Sequence, residues 1–581
     1  MKRPSPALFA AWLATLNLCI SRAADEAKPA VGLASLRVPP GFTVELAAGP
    51  ERAPYGMAGA FDDRGRLFVA ESSGKNIKGK DMPQFPECRI RLLEDLNGDG
   101  VFERSGIFAD KLSLPMGVLW HQGQLFVASP PDFVRFADRN DDGVADERQV
   151  LLTGWKVLNT ASLHGPYLGP DGWLYLTHGR HGYRITTKEG ELLEGLASRI
   201  WRCRPDGAQL ERVCGGGFDN PVELIFTAAG QMIGTMTYFT DPQNGQRDAL
   251  MHWVEGGVYG KWHESVAEFK HTGELLPPMT RFARIAPAGL MQYRGASFGL
   301  AYQGNLFSAQ FNPHRIQRHR LFTDGATFRT EDEDFLSSTD PDFHPCDVLE
   351  DADGSLLVID TGGWYIDACP LSRVHKPEVQ GGIYRIRRRD APPLEDPRGR
   401  RLDWQQADPT QLAQRLADPR PVVRDRAQEL LVAAGEKAVP ALAQLRRQHT
   451  SPDVRCAAIW ALSRIGAPAA QAQVRLALQD DHVQAQIAAA HAVGMARDRS
   501  AGPALIALLQ HPAPAVRLAA ATALGQLGEA NASAALLAAA AQATDRFLEH
   551  AITYALIKLR DAPAAVTALR SASAKTRKAA L

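Results

Sequence analysis

NTASLHGPYLGPDGWLYLTHGRHG, residues 159–182, decides how the larger part of this 581-residue chain folds. Gly169-Pro170-Asp171-Gly172 pairs a fixed φ with a residue free to take positive φ, as a tight reversal requires. Residues 173–177 then read as a strand of aromatic and β-favouring side chains. The phrase GWLYLTHG (172–179) recurs as GRLFVAES (65–72), GQLFVASP (123–130), GQMIGTMT (230–237), GNLFSAQF (304–311) and GSLLVIDT (354–361). Partner strands lie between them at 89–93, 133–136, 198–203, 315–319 and 382–386. A multi-strand unit returning about every 50 residues is the mark of a β-propeller. Six openings predict six blades over residues 36–390.

Prolines, arginines and acids at 391–402 read as a linker, after which Ala, Leu, Gln and Arg dominate. DPRPVVRDRAQELL, SPDVRCAAIWALSRIG, DDHVQAQIAAAHAVG and HPAPAVRLAAATALGQLG repeat one phrase, with Val423, Val454, Val483 and Val516 spaced by 31, 29 and 33 residues. Each copy is a turn followed by an amphipathic helix. Residues 403–581 therefore read as a HEAT-type helical solenoid. The fold class is multidomain β + α, a six-bladed β-propeller followed by this solenoid. The end, KTRKAAL, offers no obvious polar capping helix.

Lys+Arg and Asp+Glu balance at 65 each, so no net field recruits nucleic acid or an anionic membrane. Residues 1–23 combine Lys2 and Arg3 with a short apolar run and small residues before a cleavage point. That reads as a secretory signal and predicts export to the periplasm or the extracellular space. No other run is long and apolar enough to cross a bilayer. Six further cysteines permit disulfides without a recognisable framework, and Cys456 on a helical face reads as a buried free thiol. No C-x-x-C-H occurs, so no haem is attached.

Two acidic loops carry oxygen ligands at alternate positions: Asp95, Asn97, Asp99 and Glu103, then Asp138, Asn140, Asp142 and Asp146. They resemble the first nine positions of an EF-hand loop and suit Ca²⁺, but Gly106 and Gln149 stand where the closing Glu belongs. The alternative is a solvated Asp-Gly turn. His164, His178 and His181 could move protons near neutrality. Residues before the innermost strands converge on one channel, which also nominates Met57, Glu71, Met116, Asn220, His314, His344, Asp347 and Asp360. The alternative is that these side chains hydrogen-bond neighbouring blades. Trp364 and Tyr365 could stack on a sugar or pack a blade edge.

The phrases RIRLLEDLNGDGVFE, FADRNDDGVADERQVLLTG, LGPDGWLYLTHG, GFDNPVELIF, RDALMHWVEGGVYGK, YQGNLFSAQF and DFHPCDVLEDADGSLLVIDTGGWY resemble the membrane-bound dehydrogenase domain of planctomycetes and verrucomicrobia. That domain is related to the glucose/sorbosone dehydrogenase propellers, which are soluble quinoproteins. The resemblance implies an oxidoreductase acting on a sugar or polyol at the central channel, with pyrroloquinoline quinone and Ca²⁺ as cofactors. In this reading His164 is the general base. Asn220 and Asp360 orient the substrate or cofactor, Arg180 holds an anionic group, and His178, Asp347, His344 and Glu71 face the cofactor. The chain departs from its relatives at three places. Their catalytic histidine aligns with Ala161, three residues before His164; their aspartate is Arg180; and their Arg-Asn-Pro is Asp219-Asn220-Pro221. The HEAT repeats imply a protein partner, such as a separate cytochrome c. The alternative is a non-catalytic glycan- or protein-binding propeller with the solenoid as a docking scaffold.

Overall fold

The computed structural model describes residues 30–75, 77–157, 159–237, 247–363 and 376–581. The signal segment, Trp364, Tyr365 and Cys369 lie outside the described residues. Six blade sheets, antiparallel but for one parallel strand added at the edge of the third, surround one axis, with a separate two-stranded hairpin at Tyr183–Thr186 and Leu192–Gly195. The innermost strands are Gly56–Phe61, Val118–His121, Leu163–Leu168, Asn220–Phe226, Pro287–Gln292 and Pro345–Glu350, and each touches the next around a closed ring. They belong to blades 1 to 6 in that order. The repeated phrase of the sequence forms the second strand of every blade, for example Leu67–Glu71 and Leu174–His178, and these strands are buried on both faces. The ring closes when Phe42–Ala48, from the chain's start, pairs with Gly382–Arg388 as the outermost strand of blade 6.

The innermost strands are less regular than the second ones. In five of the six blades the pairing slips, as between His164 and Tyr167 or between Pro345 and Asp347. Such bulges re-aim side chains and are frequent beside functional sites. The axis is also crowded: a Cβ on Gly289 would lie 2.5 Å from the Asp347 carboxylate.

Twelve α-helices, from Pro409–Arg415 to Ala574–Ala580, follow among the described residues. The last is formed by AKTRKAA, where the sequence offered no cap. Pro421–Ala434, Pro452–Ile465, Val483–Met495, Pro514–Leu527 and Arg546–Leu559 stack in series. Small residues allow the close approach; a Cβ on Gly525 would lie 2.9 Å from the Cα of Ala555.

The solenoid is not a free rod. It lies on the propeller face where innermost strands turn into second strands. The Trp460 indole N–H donates to Ala228 O at 3.0 Å, Arg294 pairs with Asp425, and Gln122 reaches Glu429 at 3.2 Å. One apolar cluster runs without a break from Trp173, Phe218 and Trp253 of the propeller into Trp460, Leu505 and Phe547 of the repeats. Cys88, Cys203, Cys214, Cys346 and Cys456 are free thiols.

Candidate functional site

Innermost strands begin at the opposite face, and there the structure brings several expected residues together. His164, at the start of its strand and 1 % exposed, places Nε2 2.9 Å from Asn220 Oδ1 on the next blade. With Asn220 in that orientation, Nε2 carries the proton and Nδ1 holds the lone pair. Nδ1 is buried, and the backbone of Thr160 and of Met116 lies beside the ring. Burial pushes the ring down to about 4, so it is neutral at ordinary pH. His181 bonds Asn159 at 2.7 Å and is likewise lowered by burial to about 4. His178 is fully buried against Tyr183; neither ring nitrogen finds a partner among the described residues, and burial holds it well below the ordinary range.

The rim of this mouth is charged. Arg180 Nη2 donates to Asp219 Oδ1 at 2.6 Å, and Lys261 Nζ stands 3.7 Å from Asp219 Oδ2. Arg180 and Asp219, two of the positions where the sequence departs from the pattern it resembles, are thus paired with each other. Burial raises the Asp219 carboxyl against the pull of Lys261 and Arg180. The sequence reading missed Lys261; the only signal was its place after Gly260 in the phrase GGVYGK.

Asp360 and His344 occupy blade 6, across the axis from His164. Asp360 Oδ1 accepts the backbone N–H groups of His344 and Gly362 at 2.8 and 2.9 Å, and burial raises this carboxyl to about 7. His344 stacks on Phe311 and gives Nδ1 to Gly362 O. Asp360 thus shapes the loop beneath the mouth. A raised folded pKa means the native state binds more protons between about 4 and 7, so stability falls as pH rises through that window. Asp360→Asn keeps both bonds to Oδ1 and removes the titration. The variant's stability relative to the parent should rise by roughly 1–3 kcal/mol between pH 5 and pH 8. Thermal melts at both pH values check this, and an equal offset at the two would contradict it.

Two further expected cofactor residues are held by other partners. Glu71 is fully buried between Arg89 at 3.1 Å and Arg91, which satisfies its charge. Asp347 follows the bulge after Pro345 and is turned toward the solenoid side, where its carboxylate accepts Gly59 N and Val348 N at 2.9 and 2.8 Å. It lines a cavity of about 1380 Å³ between propeller and solenoid, together with Glu223, Tyr167, Trp120, Arg424 and Gln428. Burial raises Asp347 to about 7, and burial together with repulsion from Asp347 raises Glu223 well above the carboxylate range. None of the mouth residues lines this cavity.

The acidic loops lie on the outer rim of blades 1 and 2, on the solenoid side. In both, the first Asp accepts two backbone N–H groups, Gly98 and Gly100 from Asp95, Asp141 and Gly143 from Asp138. Asp95, Asp99 and Glu103 gather oxygens within 4.8 Å of one another. Asp138, Asn140, Asp142 and Asp146 form the same turn, with Asn140 Nδ2 3.2 Å from Asp146 and Arg64 drawn to the neighbouring Asp141. An ion at either loop would be remote from the mouth.

HEAT-repeat families match residues 409–485 and 472–557, and no curated protein matches the chain. Three solved structures are similar at the level of the propeller. One, from Thermus thermophilus and provisionally named an oxidoreductase (glucose dehydrogenase), is 20% identical, covering 59% of this chain and 99% of its own, with a TM-score of 0.41. The holo form of the pyranose dehydrogenase PQQ domain from Coprinopsis cinerea is 15% identical over 61% of this chain and 97% of its own, at 0.40. The apo soluble aldose sugar dehydrogenase of Escherichia coli is 15% identical over 60% and 100%, at 0.37. Through residues 28–390, the chain belongs to the family described as Domain of unknown function (DUF7133).

Proposed function

We propose that this is an exported oxidoreductase of the sugar-dehydrogenase class, which takes a sugar or polyol at the mouth where the innermost strands begin. The observation that carries the reading is the His164–Asn220 pair, neutral, buried and at the channel axis beside the Arg180–Asp219–Lys261 trio. A neutral histidine keeps a lone pair on one ring nitrogen and can accept a hydroxyl proton. As the C–O bond becomes a carbonyl, the carbon-bound hydride leaves to a two-electron organic acceptor. Asn220 orients the ring, and Arg180 and Lys261 offer donors to substrate oxygens. Electrons then pass to a partner outside the chain, such as a cytochrome.

Pyrroloquinoline quinone is the acceptor implied by the resemblance. The residues around Asn220 do not fit it well. Arg180 and Lys261 share one carboxylate, leaving one net positive charge against a tricarboxylate, and the three histidines are neutral. A second reading, a glycan-binding propeller without turnover, is favoured by the near-complete burial of His164 behind Asn220. The full-length protein with aldoses and dichlorophenolindophenol discriminates. Sugar-dependent dye reduction without added quinone supports the proposal. Reduction only after quinone addition would overturn the misfit, and calorimetric binding with no reduction would favour the binding module.

A further inference from the structure

The link between the third and fourth strands of blade 4, residues 254–279, is a strap running from the solenoid to the mouth and back. Its outgoing leg, Val258–Tyr259, pairs in parallel with Gly215 and Gly216 of blade 3. Its apex carries Lys261, Trp262 and the short turn Glu264–Glu268. Leu276 N donates to Val258 O at 2.8 Å and ties the returning leg to the outgoing one. The apex is anchored at the mouth: Lys261 faces Asp219, and Glu268 takes Arg199 at 2.8 Å and the N–H groups of Leu196 and Ala197.

Both feet of the strap are held by one solenoid helix, Arg546–Leu559. His550, 1 % exposed, sets Nε2 2.9 Å from Glu255 O on the outgoing leg and Nδ1 2.8 Å from Thr272 Oγ1 on the returning leg. The ring bridges the two with a fixed pattern: Nε2–H donates, Nδ1 accepts from the threonine hydroxyl, and that oxygen accepts from Arg546 at 2.8 Å. Lys558 closes on the Glu255 carboxylate at 2.8 Å. Burial keeps His550 neutral, at about 4, so the pattern persists at ordinary pH. Lys261 follows Glu255 by six positions, at most ~20 Å of extended chain, so little slack separates foot from apex.

We propose that the solenoid is a positioning domain for the mouth: by clasping both legs of the strap, His550 sets the place of Lys261, and through it the charge balance of Asp219 and Arg180. This gives the repeats a role inside the chain and holds whether or not the ligand is a sugar. His550 touches no ligand; it is a positioning residue.

The test uses the full chain and reads the apex directly. Acylation of Lys261 by N-hydroxysuccinimidyl acetate is followed by peptide mass spectrometry, with amide hydrogen exchange over 258–263, in the parent, His550→Ala and Thr272→Val. Thr272→Val removes the clasped hydroxyl at similar volume and serves if His550→Ala does not fold. Freeing the strap should raise both the Lys261 acylation rate and apex exchange about tenfold, with exposed Lys188 unchanged. A variant that melts lower yet leaves Lys261 acylation and apex exchange at parental values would overturn the proposal, because a merely structural contact would behave that way.

Discussion

Trp460→Ala is expected to cost about 3–5 kcal/mol and to loosen the solenoid from the propeller. The indole is 3 % exposed, donates to Ala228 O at 3.0 Å, and covers Gly230 so closely that a Cβ there would lie 2.5 Å from Cζ2. Alanine opens a cavity in the cluster shared by both domains and leaves a carbonyl unpaired. Tryptic cleavage in the arginine-rich 387–401 stretch should accelerate as the domains part, alongside a lower denaturation midpoint. An unchanged cleavage rate with a loss below about 1 kcal/mol would mean the interface is dispensable.

His164→Ala should lower sugar-dependent dye reduction by roughly 10²–10⁴-fold, the range for loss of a general base. Folding should survive, since the main cost is an unpaired Asn220 oxygen, about 1–3 kcal/mol. The pH profile gives a sharper check. A group depressed to about 4 stays neutral until pH approaches that value, so the acid limb should fall near 4 and activity persist at pH 5.5. A limb near the ordinary histidine value of about 6.5 would place the proton acceptor elsewhere.

The sequence showed the propeller through its second strands, because strands buried on both faces keep an unbroken apolar phrase. The innermost strands were harder to read: MAGAF, PAGLMQ and PCDVLE carry glycine, proline and a pairing slip in place of alternation. That slip is why Asp347 was assigned to the mouth, whereas the bulge after Pro345 turns it toward the solenoid. Closure by Phe42–Ala48 pairs residues more than 300 apart and leaves no local trace. The repeats were legible from their spacing, but their docking was not. Trp460 and its alanine-rich neighbours have the composition that repeats use to bury one another, so sequence alone could not distinguish a free concave face from an occupied one. At the site, converging strand starts nominated His164 and Asn220, and their contact is the hydrogen bond between neighbouring blades that the alternative reading named. Lys261 did not, because the strap that delivers it has no repeat signature.

The central claim is that ligand binds where the innermost strands begin, not in the larger cavity beneath the solenoid. Hydrogen exchange of the full chain with and without saturating glucose tests it most directly. The account predicts protection confined to 159–164, 178–182 and 217–220, with 223–231, 347–352 and 424–429 unchanged. Protection of the second group alone would contradict it and move the site to the cavity bounded by Glu223, Asp347 and the repeats.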